Sequence, residues 1–476
     1  MAPDADAGGT TLLWLRRDLR CHDNPALAAA ADADRLLPVS VVDPAGYGPA
    51  DFGGPRSFTY EKTGSHRTRF RLDALDDLRT RLRDRGSDLV VRRGDPASVL
   101  SDLVDRVDAD AVHVHTRPTP EERAVEERVA GALSAPLVRH WGHTLYHPDD
   151  LPSDVSGIDD TYTPFRKSVE SSASVRAPAP VPTIPDRPAV DPGEIPTTTD
   201  LGVDSEPVDD RTAMAFEGGE TAALDRLDAY LWETDSLREY KQTRNGLVGR
   251  DYSSKFSPWL NEGCLSPRRV SAEIDAYEER RVENDSTYWL RFELIWRDFF
   301  QFQFAKHGGT FFTPGGIRRR EIAWRDDETA FGRWKRGETG IPFVDAGMRE
   351  LNATGYLSNR ARQNVASFLA NDLRIDWRKG AAYFETRLID YDPASNYGNW
   401  AYVAGVGNDS RNRAFDVLWQ AHRYDADAAY VRRWLPELDG LAPDVAHEPW
   451  TLPDEERARV NYPSPMIDPA TLSGDG

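Results

Sequence analysis

Between positions 358 and 402 the chain reads SNRARQNVASFLANDLRIDWRKGAAYFETRLIDYDPASNYGNWAY. Asn359, Arg360, Arg362, Gln363, Trp377, Asp390, Asp392, Asn396, Trp400 and Tyr402 all stand in this one stretch. Ser358 is a natural N-cap, because its hydroxyl can accept from a backbone N–H in the first turn. A helix that starts there puts Asn359 and Gln363 four apart, on one face. Amides beside helix-borne tryptophan, followed by D-Y-D-x-x-x-N, make a poor apolar core. They make a good wall for a flat heterocycle that needs both donors and acceptors. Taken singly, each residue is as well explained by a solvated helix face.

Two other segments hold chemistry of related kinds. In YWLRFELIWRDFF (288–300), Glu293, Trp296 and Arg297 fall at i, i+3 and i+4, which is one helix face. A Glu–Arg pair at this spacing is normally a weak surface salt bridge. The strongly apolar flanks predict that this face is partly buried, and burying such groups needs a reason. In RDYSSKFSPWLNEGCLSPRR (250–269), Ser253, Ser254, Lys255 and Ser257 lie just ahead of an expected helix. Hydroxyls, free backbone N–H groups and an ammonium at a helix start suit an anion. Serine-rich helix starts are common, so this motif is weak alone.

The elements that must position these groups divide into three regions. Residues 11–16, 36–43, 88–95, 111–116 and 137–146 read as short apolar strands, with helical periodicity between them at 70–85 and 119–133. That alternation predicts a doubly wound, parallel, five-stranded sheet over 1–148. The turn after the first strand reads RRDLRCHDNPAL, where a dinucleotide fold would carry G-x-G-x-x-G. A nicotinamide dehydrogenase is therefore disfavoured. Residues 149–215 hold ten prolines and many acids, which predicts an extended linker with one ordered island, TYTPFRKSVE at 161–170. Residues 216–476 read as helical throughout, with helices expected over 222–233, 266–279, 287–304, 344–354 and 359–371. Trp259, Trp334, Trp419, Trp434 and Trp450 are read as core fillers.

Composition narrows the possible partners. The net charge is −20, and only seven of the 59 basic residues are lysine. An acidic, lysine-poor surface stays hydrated in concentrated salt, where screening is only a few ångströms long, so a salt-loving source is expected. A broad basic footprint for nucleic acid is absent. One local patch remains conceivable, drawn from Arg318, Arg319, Arg320, Arg360, Arg362, Arg378, Lys379, Arg411 and Arg413. No run approaches the 18 to 20 apolar residues of a membrane span, the start MAPDADAGGT is no signal region, and Cys21 and Cys264 form no metal or disulfide framework. These features predict a cytoplasmic protein, expected to be monomeric.

Read together, LWLRRDLRCHDNPAL, TYTPFRKSVE, YKQTRNGLVGRDYSSKFSPW and SNYGNWAYVAGVGND are similar to the photolyase/cryptochrome family over nearly the whole chain. Gln363 and Tyr402 stand where cyclobutane-dimer photolyases commonly have Met and Trp, and they point to its cryptochrome-DASH branch. The resemblance implies an FAD-binding helical domain. It assigns the cofactor to Tyr240, Ser253, Ser254, Lys255, Phe256, Ser257, Arg297, Asn359, Arg362, Asp390, Tyr391, Asp392 and Asn396. Arg362 with Asp390 would flank the isoalloxazine, and Asn396 would face its N5. It implies an electron relay through Trp324, Trp377 and Trp400, because indole can lose an electron to a photoexcited acceptor.

It also implies that Glu293, Trp296, Asn359, Gln363 and Tyr402 hold a damaged base, with Arg297, Arg360 and Gln420 joining them against DNA. The activity implied is blue-light repair of cyclobutane pyrimidine dimers, preferentially in single-stranded DNA. The alternative within the resemblance is a blue-light photoreceptor with little or no repair. A methenyltetrahydrofolate antenna is a family option, but Arg117 stands where folate-binding members carry an acid, which removes one hydrogen-bond partner.

Overall fold

The computed structural model describes residues 9–409 and 414–472; Arg411 and Arg413 of the expected basic patch lie outside the described residues. The strands Thr10–Leu15, Arg35–Val42, Val90–Arg93, Ala109–His115 and Leu137–His140 form one parallel sheet. Numbered along the chain, their order across the sheet is 3-2-1-4-5. The first strand is buried along its whole length, as expected of a parallel sheet covered on both faces. Leu12 pairs with Leu37 on one side and Val112 on the other. The last strand stops at His140, short of the expected 146. Beyond it the backbone packs so tightly that a Cβ on Gly142 would sit 2.6 Å from both Pro25 and His115. A small antiparallel hairpin, Pro49–Asp51 with Thr59–Glu61, was not anticipated from the sequence.

Strand order reverses at the first strand, which is where α/β sheets usually take a ligand. Here the turn after that strand is a joint. Arg20, almost fully buried, donates to the carbonyls of His22, Asp23, Gly142 and Gly263. Asp23 accepts from Arg268 at 2.6 and 3.0 Å, and Glu220 accepts from the N–H groups of Cys21 and His22. Charged side chains from the helical region thus occupy the place of a phosphate.

The Pro-rich stretch runs along the sheet and holds the helix Tyr162–Ser172. Leu36 N–H donates to Asp186 O at 3.1 Å and Val91 N–H to Pro192 O at 2.8 Å. A proline cannot donate but its carbonyl can accept, so this chain covers strand edges that would otherwise stay open.

The helical region is built around the long helix Asp285–His307, whose start is closed by a capping box between Asn284 and Thr287. Two helices expected to run unbroken end in π turns instead, at Ala229–Glu233 and Phe368–Asp372. Asp298 of the long helix accepts from the N–H groups of Leu145 and Tyr146, which fastens it to the sheet region. Trp259, Trp334 and Trp434 are buried, and Trp450 is half-buried. Trp419 is 55% exposed. Reading it as core was wrong, because its helix Val417–Tyr424 buries Val417, Gln420 and Ala421 on the opposite side. Among the described residues, no helix is long and apolar enough to cross a membrane.

Candidate functional site

Ser358 caps the helix Asn359–Ser367 through Ala361 N–H, and this fixes the directions of the residues that follow. Arg362 points inward and donates Nη2 to Asp390 Oδ2 at 2.8 Å and Nε to Leu357 O. The hydroxyl of Ser257 donates to the same Asp390 oxygen at 2.6 Å, and Asn261 donates to the Asp390 carbonyl. Asp390 Oδ1 remains buried without a partner. Asn396 donates to Ala381 O at 2.9 Å from the neighbouring helix Pro393–Val403.

The loop that leads to Ser257 has its carbonyls turned to one cation. Arg226 donates to Ser254 O and Ser253 O and pairs with Asp251. Lys255, held at φ 55°, buries its ammonium 3.2 Å from the Tyr252 ring centroid with no hydrogen-bond partner. Burial lowers its pKa to about 7. Glu350 lies close enough to act on it, and burial raises that carboxyl to about 7. Phe256 is buried behind the loop, and the neighbouring Tyr240 is kept neutral by burial. A buried ammonium without a hydrogen-bond partner suits an anionic group of a ligand, and the open Asp390 Oδ1 suits a hydrogen-bond donor.

A second face adjoins this pocket. Glu293 accepts from Arg244 on Oε1, and its Oε2 has no hydrogen-bond partner among the described residues. Burial raises the Glu293 pKa and Arg244 opposes the rise. Glu293 and Arg297 do not pair: Arg297 donates to His143 O and Leu260 O, across the two regions. Trp296 stacks on Tyr162 with centroids 3.5 Å apart and meets Tyr402 edge to face at 6.2 Å. Arg360 donates Nη1 to both Gln363 at 3.0 Å and Gln420 at 3.1 Å, and Nη2 to Asn245 at 2.9 Å. Asn359 is exposed at the helix start.

The three relay candidates lie along one path. Trp324 and Trp377 each donate Nε1 to the same Pro314 carbonyl at 3.2 Å. One turn beyond Trp377, Gly380 is so close to Trp400 that a Cβ would fall 2.3 Å from its Cη2. Trp400 is four residues after Asn396, on the same face of its helix.

Tyr391 and Asp392, grouped with the cofactor residues on sequence, point to the sheet region. Tyr391 donates to Glu385 and carries Arg67 over its ring. Asp392 caps its own helix, accepts from Gln301, and lies 3.7 Å from Arg117 and 3.9 Å from Arg17. Arg117 is buried, which lowers its pKa to about 10. Tyr391, Glu385, Arg67 and Arg17 border a cavity of about 210 Å³ lined also by Trp14, Tyr47, Glu121 and Glu122.

Most of the proposed basic patch is consumed internally. Arg378 is fully buried against Asp376, Lys379 pairs with Asp326 and Glu328, and Arg318 donates to Gly407 O. Residues that the sequence did not single out, Arg226, Arg244, Asn245, Tyr162 and Tyr252, complete the two faces. Arg244, Asn245 and Tyr252 lie inside the motif 240–259 and Tyr162 inside 161–170, which were the available signals; Arg226 gave none.

The sequence and its fold match known proteins. The DNA photolyase family matches residues 11–186, and the FAD binding domain of DNA photolyase matches residues 289–473. A "Cryptochrome DASH" from Natronomonas pharaonis is 57% identical over 470 residues, covering 96% of this chain and 98% of the relative. The crystal structure of a cryptochrome from Synechocystis sp. PCC6803 superposes with a TM-score of 0.92 at 41% identity, covering 98% of this chain and 99% of the other. A class III photolyase from Agrobacterium tumefaciens superposes with a TM-score of 0.83 at 31% identity, covering 98% and 96%. The chain belongs to the photolyase/cryptochrome family and carries its FAD-binding domain. Within that family it groups with the cryptochrome-DASH branch.

Proposed function

We propose that this protein is a light-driven lyase that splits cyclobutane pyrimidine dimers, with single-stranded DNA as its preferred substrate. The observation that carries the reading is a continuous polar chain beside the cofactor pocket. It runs from Glu293 through Arg244, Asn245 and Arg360 to Gln363 and Gln420, with the Trp296–Tyr402 corner alongside. Bound in the pocket, FAD supplies a blue-light-absorbing, electron-donating centre. Arg362 with Asp390 would orient its ring system, Asn396 would lie at its edge, and Lys255 with Ser253, Ser254 and Ser257 would hold its diphosphate.

The chain's own residues then bind and orient a flipped lesion. Trp296 offers one aromatic wall, its other face already set by Tyr162. Tyr402 offers the second wall, Glu293 Oε2 accepts from a base N–H, and Gln363 supplies amide donors. Base chemistry of this kind needs the nucleotide out of its stack. Gln363 and Tyr402 grip it less apolarly than Met and Trp would, which favours strands where no duplex must be opened. The test is to incubate chemically reduced protein with dimer-containing single strands under blue light and in darkness. Dimers should disappear only in the light and more slowly from duplex. Equal loss in both, or none in either, sinks the lyase reading and leaves the photoreceptor.

A further inference from the structure

The helix Val417–Tyr424 sets Gln420 into the polar chain and turns Trp419 and Arg423 outward. These two are four apart and share one face. Trp419 is 55% exposed, the most exposed large hydrophobic side chain among the described residues. Its ring meets Tyr424 edge to face at 6.5 Å, and Tyr424 itself carries the Arg360 guanidinium 4.4 Å from its centroid. Arg423 is exposed and makes no ion pair with any described residue, whereas most arginines around it are engaged. The nearby carboxylates face elsewhere. Asp416 caps the helix through Trp419 N–H, and Asp425 accepts from Tyr430 and Val431 N–H.

We propose that Trp419 and Arg423 form a stacking platform for nucleotides that flank the lesion in single-stranded DNA. The inference rests on the reading that this face meets DNA. An open indole accepts the π-face of any base, and an unpaired guanidinium one helical turn away meets a phosphate. The platform is linked to the candidate lesion face through Tyr424 and Arg360 to Gln363. A strand whose dimer lies against Trp296 would therefore pass Arg360 and reach Trp419. Stacking also suits a chain of net charge −20, because it depends little on salt, unlike phosphate contacts.

The test measures binding of labelled oligothymidylate, with and without one dimer, to the FAD-loaded protein and to Trp419→Ala, Trp419→Phe, Arg423→Ala and Glu293→Ala. Trp419→Ala should weaken both strands by the same factor, roughly 5- to 150-fold for one lost stack. Trp419→Phe should keep most of the affinity. The factor should persist when salt is raised, while the smaller Arg423→Ala loss should shrink. Glu293→Ala should weaken the dimer strand far more than the undamaged one. Unchanged flavin absorbance and circular dichroism identify variants that are folded. If Trp419→Ala binds both strands as tightly as the parent, the platform is overturned. If the parent shows no preference for the dimer yet Trp419→Ala weakens both strands, the platform stands and the lesion reading falls. If the parent binds neither strand, both fall.

Discussion

On the proposed function, Glu293 serves as an acceptor in a place that favours its neutral form. Burial raises its pKa and the Arg244 guanidinium pulls it back, so the pair is what keeps an acceptor available on Oε2. Glu293→Ala should weaken dimer-containing strands far more than undamaged ones, by about 1.5 to 3 kcal/mol for a charged hydrogen bond. Trp296→Ala should act the same way through lost stacking, roughly 1 to 3 kcal/mol. Equal weakening of damaged and undamaged strands, read by the same binding assay, would make both residues scaffold. The sequence placed Glu293, Trp296 and Arg297 on one face from spacing alone. It gave no hint that Glu293 would pair with Arg244 or Arg297 with two carbonyls, because those partners come from separate segments.

Lys255 yields a pH dependence. Burial lowers its pKa to about 7. A diphosphate favours the charged ammonium and so raises that pKa on binding. Between about 7 and the raised value, binding takes up a proton, and affinity falls as pH rises, by up to about tenfold per pH unit. Below about 7 the lysine is charged in both states and this dependence vanishes. FAD reconstitution followed by fluorescence from pH 6 to 9 should show that profile. Lys255→Arg should flatten it, since a guanidinium stays charged throughout. A flat parent profile would remove Lys255 from the diphosphate.

Among the elements, the two helices Trp377–Arg387 and Pro393–Val403 matter most, because their close approach at Gly380 puts Trp377 and Trp400 on one path. Trp377→Phe or Trp400→Phe should slow photoreduction of oxidised flavin severalfold or more, measured by loss of the oxidised absorbance band under blue light. Dimer splitting by chemically reduced protein should be spared. Gly380→Ala should destabilise the fold by roughly 1 to 3 kcal/mol through overpacking, since the new methyl would meet the rigid Trp400 ring, which is itself buried. Unchanged photoreduction in both Trp→Phe variants would leave ordinary core tryptophans. The helix starts were legible here: Ser358 was read as a cap and accepts from Ala361 N–H. The π turn at Phe368–Asp372 was not. A π turn keeps the apolar pattern of a helix and changes only which carbonyl each N–H reaches. Trp419 misled for a similar reason, since an indole counts as apolar wherever it points.

For the whole molecule, the alternation of apolar strands and helices made the parallel sheet readable, because a strand buried on both faces is apolar without a break. The joint between sheet and helices was not readable. Asp23 meets Arg268 across 245 positions and Arg20 meets Gly263 across 243, and no local pattern marks such pairs. The same is true of surface charge. A run of arginines around 318–379 looked like a candidate footprint, yet Arg362, Arg378 and Lys379 are held by Asp390, Asp376, Asp326 and Glu328. Among the described members of that patch few cations are left to meet phosphates, and the net charge of −20 repels the rest of a strand. Each phosphate neutralised on a single strand contributes a slope near −0.7 to log affinity against log salt. With contacts limited to a few groups such as Arg360 and Arg423, the slope should be no steeper than roughly −3. Most damaged-strand affinity should then come from stacking and hydrogen bonds at Glu293, Trp296, Gln363 and Tyr402, and should survive into concentrated salt. Titrating the binding of a dimer-containing strand from low to molar salt gives the slope directly. A steep slope, with affinity gone well before molar salt, would mean that a basic groove dominates and that the acidic surface is no guide to how this protein holds DNA.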